Sequence, residues 1–388
     1  MTGFTQGNRV ELLRSGDEYF PAVEAAIAAA RFEVHLETYI FADDRTGQRM
    51  ARTLAEAARR GVSVRLMVDG FGADNLRPSL RAILELAGVQ VLVFRPELGR
   101  FYLRRHRLRR LHRKLVVIDG EVGFCGGINV IDDRDGRDAG PPRFDFAVRV
   151  RGPLVAGMHR AVQRLWTLVE LTTRARSDAP RLAVPPSPPV ALPGRRAAFL
   201  IRDNITHRRA IEEAYLEAIN GARREVFIAC AYFLPGREFR RALRDAALRG
   251  VRVRLLLQGL PEHLLVHHAT HALYGSLIDA GIEIHEYTLT YLHAKVAVID
   301  GRWSTVGSSN IDPFSLLLSR EANVVVDDEG FASELRAALE AGLVEGAVPI
   351  VQETWSRKPW TARVASWVAF QISRILMGLT GYARADDW

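Results

Sequence analysis

Two stretches of the chain carry the same order of apolar and polar positions. The first runs EVHLETYIF (33–41) and then MARTLAEAARRGVSVRLMVDG (50–70); the second runs EVFIACAYFL (225–234) and then FRRALRDAALRGVRVRLLLQG (239–259). In each, a β-branched and apolar run reads as a strand, and a segment of helical period, closed by Gly61 or Gly250, reads as an amphipathic helix. A second apolar run follows as another strand. Strand, helix and strand in this order predict a βαβ unit, whose connection is right-handed and whose strands are parallel. Both copies predict an α/β chain whose functional residues lie at strand ends.

A third apolar run follows in each copy: LHRKLVVID (111–119) and YLHAKVAVID (291–300). Leu115 to Ile118 and Val296 to Ile299 have the composition of a buried strand. Side chains alternate along a strand, so His112 and Lys114 project to one face, as do His293 and Lys295. Two cationic groups side by side in an apolar setting call for an anion between them, and phosphate fits, because Lys offers a point charge and up to three donors. Downstream, CGGIN ends at Asn129 and VGSSN at Asn310. The two Asn residues supply neutral donors, while Gly126, Gly127, Gly307 and Ser308 let the backbone approach closely. One such constellation could be a buried His beside a snorkelling Lys; two matched copies point to a duplicated phosphodiester enzyme.

At 388 residues the chain is long for one domain. The expected division is a first domain at 1–178, a proline-rich linker at 179–196, a second domain at 197–350 and a basic, Trp-rich amphipathic tail at 351–388. The formal net charge of +8 favours anionic partners. Arg100, Arg104, Arg105, Arg107, Arg109, Arg110 and Arg113 crowd the approach to the first motif, where they are either a solvated face or a device that gathers anionic head groups. Cys125 and Cys230 offer no disulfide framework and suit a reducing compartment. The first residues lack the cationic and apolar regions of a signal peptide. The tail sets Trp355, Trp360, Trp367 and Phe370 among Arg357, Lys358, Arg363 and Arg374, and its uncharged stretches are too short for a spanning helix. It suits a helix lying in a membrane interface, or a terminal helix packed on the core.

These paired motifs resemble the phospholipase D superfamily, often called the HKD family, over nearly the whole chain in two halves. RRLHRKLVVIDGEVGFCGGINV (109–130) and LHAKVAVIDGRWSTVGSSNIDPFSLLLSREANVVV (292–326) are most similar to bacterial cardiolipin synthases of the short type without amino-terminal transmembrane helices. The resemblance implies two similar phospholipase D-like domains, each a mostly parallel sheet flanked by helices, with the active site at their pseudo-twofold interface. It implies that His112 attacks phosphorus and that His293 protonates the leaving alcohol, through a covalent phosphatidyl-histidine. Lys114, Lys295, Asn129 and Asn310 would hold the non-bridging oxygens, with Gly127 and Ser308 in support. Asp145 and Glu321 are the acidic residues implied to orient a histidine. The motif aspartates Asp119 and Asp300 complete the candidate set, although at their strand ends they are expected to orient neighbours rather than touch phosphorus.

No metal or other cofactor is expected, because each motif sets a Lys where a divalent cation would be repelled, and a two-metal site needs several converging carboxylates. His263, His267, His268 and His271 have helical spacing that could bind zinc, but no nearby Cys or carboxylate is evident in sequence. The expected reaction joins two phosphatidylglycerol molecules into cardiolipin and glycerol, at the cytoplasmic face of the membrane, with the protein held peripherally. The alternatives are a phospholipase D that hydrolyses phospholipids, or a nuclease or other phosphodiesterase of the same superfamily. Nucleic acid is the less expected partner, since the basic run holds only Phe101 and Tyr102 for base stacking. No obligate protein partner is implied, because one chain supplies both histidines.

Overall fold

The computed structural model describes residues 3–72, 76–96, 109–134, 140–173, 193–204, 206–356 and 359–380. Most of the expected linker, together with Arg100, Arg104, Arg105, Arg107, Arg357 and Lys358, lies outside the described residues. By packing, the chain divides into two units. The first holds 1–200 with 306–308 and 320–325; the second holds 201–305, 309–319 and 326–388.

The first unit contains β1 (Thr5–Arg14), α1 (Ser15–Ala28), β2 (Glu33–Thr38), α2 (Arg45–Arg59), β3 (Ser63–Asp69), α3 (Pro78–Leu86), β4 (Gln90–Phe94), β5 (Lys114–Ile118), β6 (Val122–Gly126), β7 (Phe146–Arg151), α4 (Val155–Thr173) and most of β8 (Arg195–Arg202). Its strands run in the order β8-β1-β7-β6-β5-β2-β3-β4. The βαβ pattern read from the sequence produces the parallel pairs β2–β3 and β3–β4. A mostly parallel sheet was the expectation, and the observed sheet is mixed. The motif strand β5 lies antiparallel to β2 and turns through a short hairpin into β6, which forces antiparallel pairing there, and β6 in turn pairs antiparallel with β7. Helix α2 buries Met50, Ala51 and Leu54 against a core that includes Val34, Leu36, Val64, Leu66 and Phe124. Asp44 caps its start by accepting the Gly47 N–H at 2.8 Å, and Gly61, at φ 91°, lets the chain leave its end.

The second unit repeats this plan with α5 (Ala210–Gly221), β9 (Glu225–Cys230), α6 (Arg237–Leu248), β10 (Arg252–Gln258), α7 (Leu264–Ile278), β11 (Glu283–Tyr287), β12 (Lys295–Ile299), β13 (Trp303–Gly307), β14 (Glu321–Asp327), α8 (Glu329–Gly346), β15 (Ala347–Ile350), α9 (Gln352–Ser356) and α10 (Trp360–Thr380). The residues grouped with the first unit are the end of β13 with Ser308, and Arg320 with most of β14. A π-helical turn, Phe314–Leu318, precedes β14. Strands β9, β10 and β11 are parallel, and β12 is antiparallel to β9. Among the described residues no helix is long and apolar enough to cross a membrane. Helix α10 packs on α7 with an unusual choice of faces. It buries Ser366, Ala369 and Ser373 and exposes Trp360 (74%), Trp367 (59%) and Ile375 (61%).

Both motif hairpins turn on an Asp-Gly pair. Asp119 and Gly120 have φ of 50° and 65°, Asp300 and Gly301 of 53° and 67°. Two successive positive φ values, closed by Glu121 N–H to the Ile118 carbonyl at 2.9 Å, make the mirror-image turn that matches strand twist. The Asp119 carboxylate accepts the N–H groups of Arg31, Phe32 and Glu33, each at 2.8 Å, which ties the hairpin to the start of β2. Asp300 does the same with Arg223, Arg224 and Glu225 at 2.9, 2.8 and 3.0 Å. Partial burial works against its charge, yet those three N–H groups and the Arg224 cation hold the Asp300 carboxyl below its ordinary range.

Replacing Asp119 with Asn sets an amide donor against at least one of these backbone donors and is expected to cost about 1–3 kcal/mol. A urea titration should show a lower midpoint with an unchanged slope. Buried Asp133 accepts the Gly16 N–H at the start of α1. Burial pushes its carboxyl up to about 7 against that bond, and the Asp145 charge adds to the rise. The native state therefore holds a proton that the unfolded chain, with an ordinary pKa of about 4, releases. This contribution to stability is full below pH ~4 and is lost as the pH climbs through about 7. Asp133→Asn should flatten the fall in the urea midpoint between pH 5 and pH 8.

Candidate active site

Each motif histidine is positioned by the residue before it. Asp69, at the end of β3, accepts the Leu111 N–H at 2.7 Å, and Gln258, at the same place on β10, accepts the Leu292 N–H at 3.1 Å. The first motif is also clamped by main-chain bonds to the start of β14: His112 N–H to the Arg320 carbonyl at 3.0 Å and Arg320 N–H to the Arg110 carbonyl at 2.7 Å. That pairing delivers Glu321 to His112, whose Nδ1 lies 2.9 Å from Oε1 of the carboxylate. Glu321 is fully buried, and its Oε2 accepts the hydroxyl of Ser308. Ser308 Oγ in turn accepts the Ala322 N–H at 3.0 Å. A carboxylate on Nδ1 favours the tautomer with the proton there, in which Nε2 is the ring nitrogen that carries the lone pair. The ring of Tyr39 meets His112 edge to face at 5.1 Å between centroids.

Lys114 and Lys295 are almost wholly buried at 2% and 1% exposure. Lys114 Nζ donates to the carbonyl of His112 at 2.7 Å and sits 5.5 Å from the centre of the Tyr39 ring; Lys295 Nζ donates to the carbonyl of His293. Each ammonium is thus folded back beside its own histidine. Asn129 Oδ1 accepts the Ile40 N–H at 3.3 Å, which turns its amide nitrogen away as a donor. Asn310 is buried, and its Oδ1 makes no hydrogen bond among the described residues. The glycines serve neighbouring side chains: a Cβ on Gly127 would fall 2.3 Å from Asp145 Oδ1, and one on Gly307 would fall 2.2 Å from the Asn323 side chain. Asp145, also buried, accepts its neighbour Phe146 N–H at 2.8 Å.

Asp119 and Asp300 lie at the far ends of their strands. At roughly 3.3 Å per residue, Asp119 is about 20 Å from His112, so its carboxylate cannot share a reacting atom with that imidazole. The basic run also differs from a head-group collector where it is described. Arg110 forms a double hydrogen bond with buried Asp69, at 2.8 and 2.6 Å, and Arg113 is buried against Glu37. Arg113 falls on the opposite face of the strand from His112 and Lys114, so alternation sends it inward.

Among the described residues one group could chelate a metal: Glu33, His35 and His159, all buried. Glu33 Oε2 lies 3.2 Å from His35 Nε2 and its other oxygen meets His159. Despite burial, the two histidines hold the Glu33 carboxyl far below the usual range. The second unit places Glu225 at the matching strand position, paired with Arg254 and, at 2.8 Å, with Arg336. The shared feature is a carboxylate with two cationic or imidazole partners: buried between imidazoles in the first copy, and partly buried between arginines in the second. Along α7, His271 does have a carboxylate that the sequence did not reveal: Glu286 on β11, 2.7 Å from its Nε2. Both thiols are buried and unpaired, and burial pushes each up to about 12, so neither is a nucleophile at neutral pH.

A family model described as "Cardiolipin synthase, PLD-like domain" matches residues 23–134 and 215–342. Cardiolipin synthase B of Salmonella typhi is 36% identical over 395 residues, covering 99% of this chain and 92% of that protein. A cardiolipin synthase of Geobacillus kaustophilus is 32% identical over 375 residues, covering 95% of this chain and 72% of the relative. In fold, the chain matches a phosphatidylserine synthase of Haemophilus influenzae with a TM-score of 0.71, at 13% identity and 95% and 94% coverage. The chain belongs to the cardiolipin synthase family of phospholipase D-like proteins.

Proposed function

We propose that the chain is a phosphatidyltransferase that makes cardiolipin from two molecules of phosphatidylglycerol and releases glycerol. The observation that carries the proposal is the buried Glu321 on His112 Nδ1, with Ser308 on its other oxygen. In the first half-reaction His112 Nε2 attacks the phosphorus of one phosphatidylglycerol. The bond from phosphorus to the terminal glycerol oxygen breaks, and His293 gives that oxygen its proton. In the second, a primary hydroxyl of another phosphatidylglycerol gives its proton to His293 and attacks, and the P–N bond breaks to release cardiolipin. An imidazole pair suits this exchange, since a reference pKa of about 6.5 makes both forms available near neutrality. Charge building on the non-bridging oxygens is met by Lys114, Lys295 and the amide donors of Asn129 and Asn310. Glu321 steadies the cationic ring that His112 becomes in the intermediate.

The lipid reading is supported by the names of the relatives and by the outward apolar stripe of α10, which suits a helix resting in the interfacial layer of a bilayer, with the protein held peripherally at its cytoplasmic face.

Incubation with phosphatidylglycerol vesicles, without added divalent metal, should yield cardiolipin and glycerol by mass spectrometry, and His112→Ala should yield neither. Phosphatidic acid as sole product would replace transfer with hydrolysis; cleavage of DNA without any lipid product would replace it with nuclease activity. Glu321→Gln, nearly isosteric, should keep the fold yet lower kcat by about 10²–10⁴-fold, because the amide cannot steady the charged ring. Steady-state kinetics beside a thermal melt would separate that loss from unfolding.

A further inference from the structure

The second unit contains an open cavity of about 1030 Å³ that none of His293, Lys295 or Asn310 lines. Its walls are α6, the residues preceding α5, one turn of α7 and the π-helical turn. Seven arginines line it against three carboxylates, Glu212, Glu238 and Asp245. Those three are already engaged: Arg209 bonds Glu212 at 3.0 Å and also Glu238, and Arg241 lies 3.5 Å from Asp245. Arg202 donates to the carbonyls of Leu317 and Ser319 and to Asn204. That leaves Arg208, Arg237, Arg240 and Arg244 without a carboxylate among the described residues.

Like charges gathered in this way repel unless an anion joins them. Arg240 bears the strain most. It is half-buried, and its guanidinium and that of Arg374 approach the same Phe370 ring, at 5.7 and 6.0 Å from its centre. Burial first, and then the charges of Arg237, Arg374 and Arg244, pull its pKa below the ordinary arginine value. Helix α6 adds its own positive end, since Gly236 at its N-cap offers no side chain to the first N–H groups. Apart from Gly236 and Ser276, the rest of the wall is apolar: Leu248, Leu277, Leu316 and Leu317.

Arginines at one part of the wall and leucines at another suit a ligand that is both a phosphate and a hydrocarbon. We propose that this cavity binds the phosphate of an anionic phospholipid, at a site separate from the two histidine motifs. Guanidinium forks grip the phosphate oxygens, and the leucines cover the start of an acyl chain. The inference does not rest on the catalytic reading, because binding here needs no turnover.

The test is arginine footprinting with phenylglyoxal on the full chain carrying His112→Ala, mapped by mass spectrometry. Dihexanoyl phosphatidylglycerol should slow modification of Arg237, Arg240 and Arg244 by about fivefold or more, the protection expected of charge-assisted bonds. Dihexanoyl phosphatidylcholine should protect far less, and inorganic phosphate only at much higher concentration. Labelling unchanged by phosphatidylglycerol would overturn the proposal. So would equal protection by inorganic phosphate, which would make the cavity a simple anion site, or stronger protection by oligothymidylate, which would make it a nucleic-acid site. Arg240→Ala with Arg244→Ala should weaken sedimentation with phosphatidylglycerol vesicles by about tenfold and leave phosphatidylcholine vesicles unaffected. Unchanged sedimentation of that variant, if it melts like the parent, would also overturn it.

Discussion

A carboxylate with no exposure to water has to have each oxygen satisfied, and Glu321 meets that demand with an imidazole on one side and a hydroxyl on the other. Much of the local structure follows from keeping it there. The backbone of β14 must begin alongside the residues before β5, which the His112 and Arg320 main-chain bonds achieve. The residue before the histidine must be held, which Asp69 does from the end of β3. Ser308 must come from the turn after β13, and Ala322 returns the bond through its N–H. Loosening any of these would leave a buried charge without a partner, which costs far more than an ordinary hydrogen bond contributes.

The two ends of the motif strand do different work. At one end sit the histidine and the folded-back lysine; at the other, the aspartate binds the start of the neighbouring strand by three N–H groups. The repeat keeps the division while changing the parts. Asp69 becomes Gln258, and the histidines around Glu33 become the arginines around Glu225. In each exchange the hydrogen-bonding role is kept and the charge arrangement changes.

The duplication, the strand–helix–strand segments and the glycines that end α2 and α6 were legible because they depend on local period and on backbone freedom. The six motif residues were legible because they recur at equal spacing. What was not legible depends on distance along the chain. Glu321 was named only through the family resemblance, since it reaches His112 across 209 positions and no local pattern distinguishes it from any other strand glutamate. Gly127 makes room for the Asp145 side chain rather than for a ligand, which only the pairing of β6 with β7 reveals. Arg113 read as part of a surface charge run, yet strand alternation placed it inside with Glu37. The tryptophans of the tail pointed to an interface, but that its serines would face the core could be seen only with α7 in place.

The Asp-Gly turns carry a consequence for how the molecule ages. In an open chain an aspartate is most prone to cyclise when glycine follows it, because no side chain shields the glycine nitrogen from the neighbouring carboxyl carbon, and the ring reopens largely to a backbone lengthened by one atom. A one-atom insertion at Asp119 or Asp300 would throw the motif hairpin out of register. Here both carboxylates are held by three N–H groups of another segment, bonds that must be given up before either can turn onto the glycine nitrogen. The bonds that brace the strand therefore also protect its most perishable link.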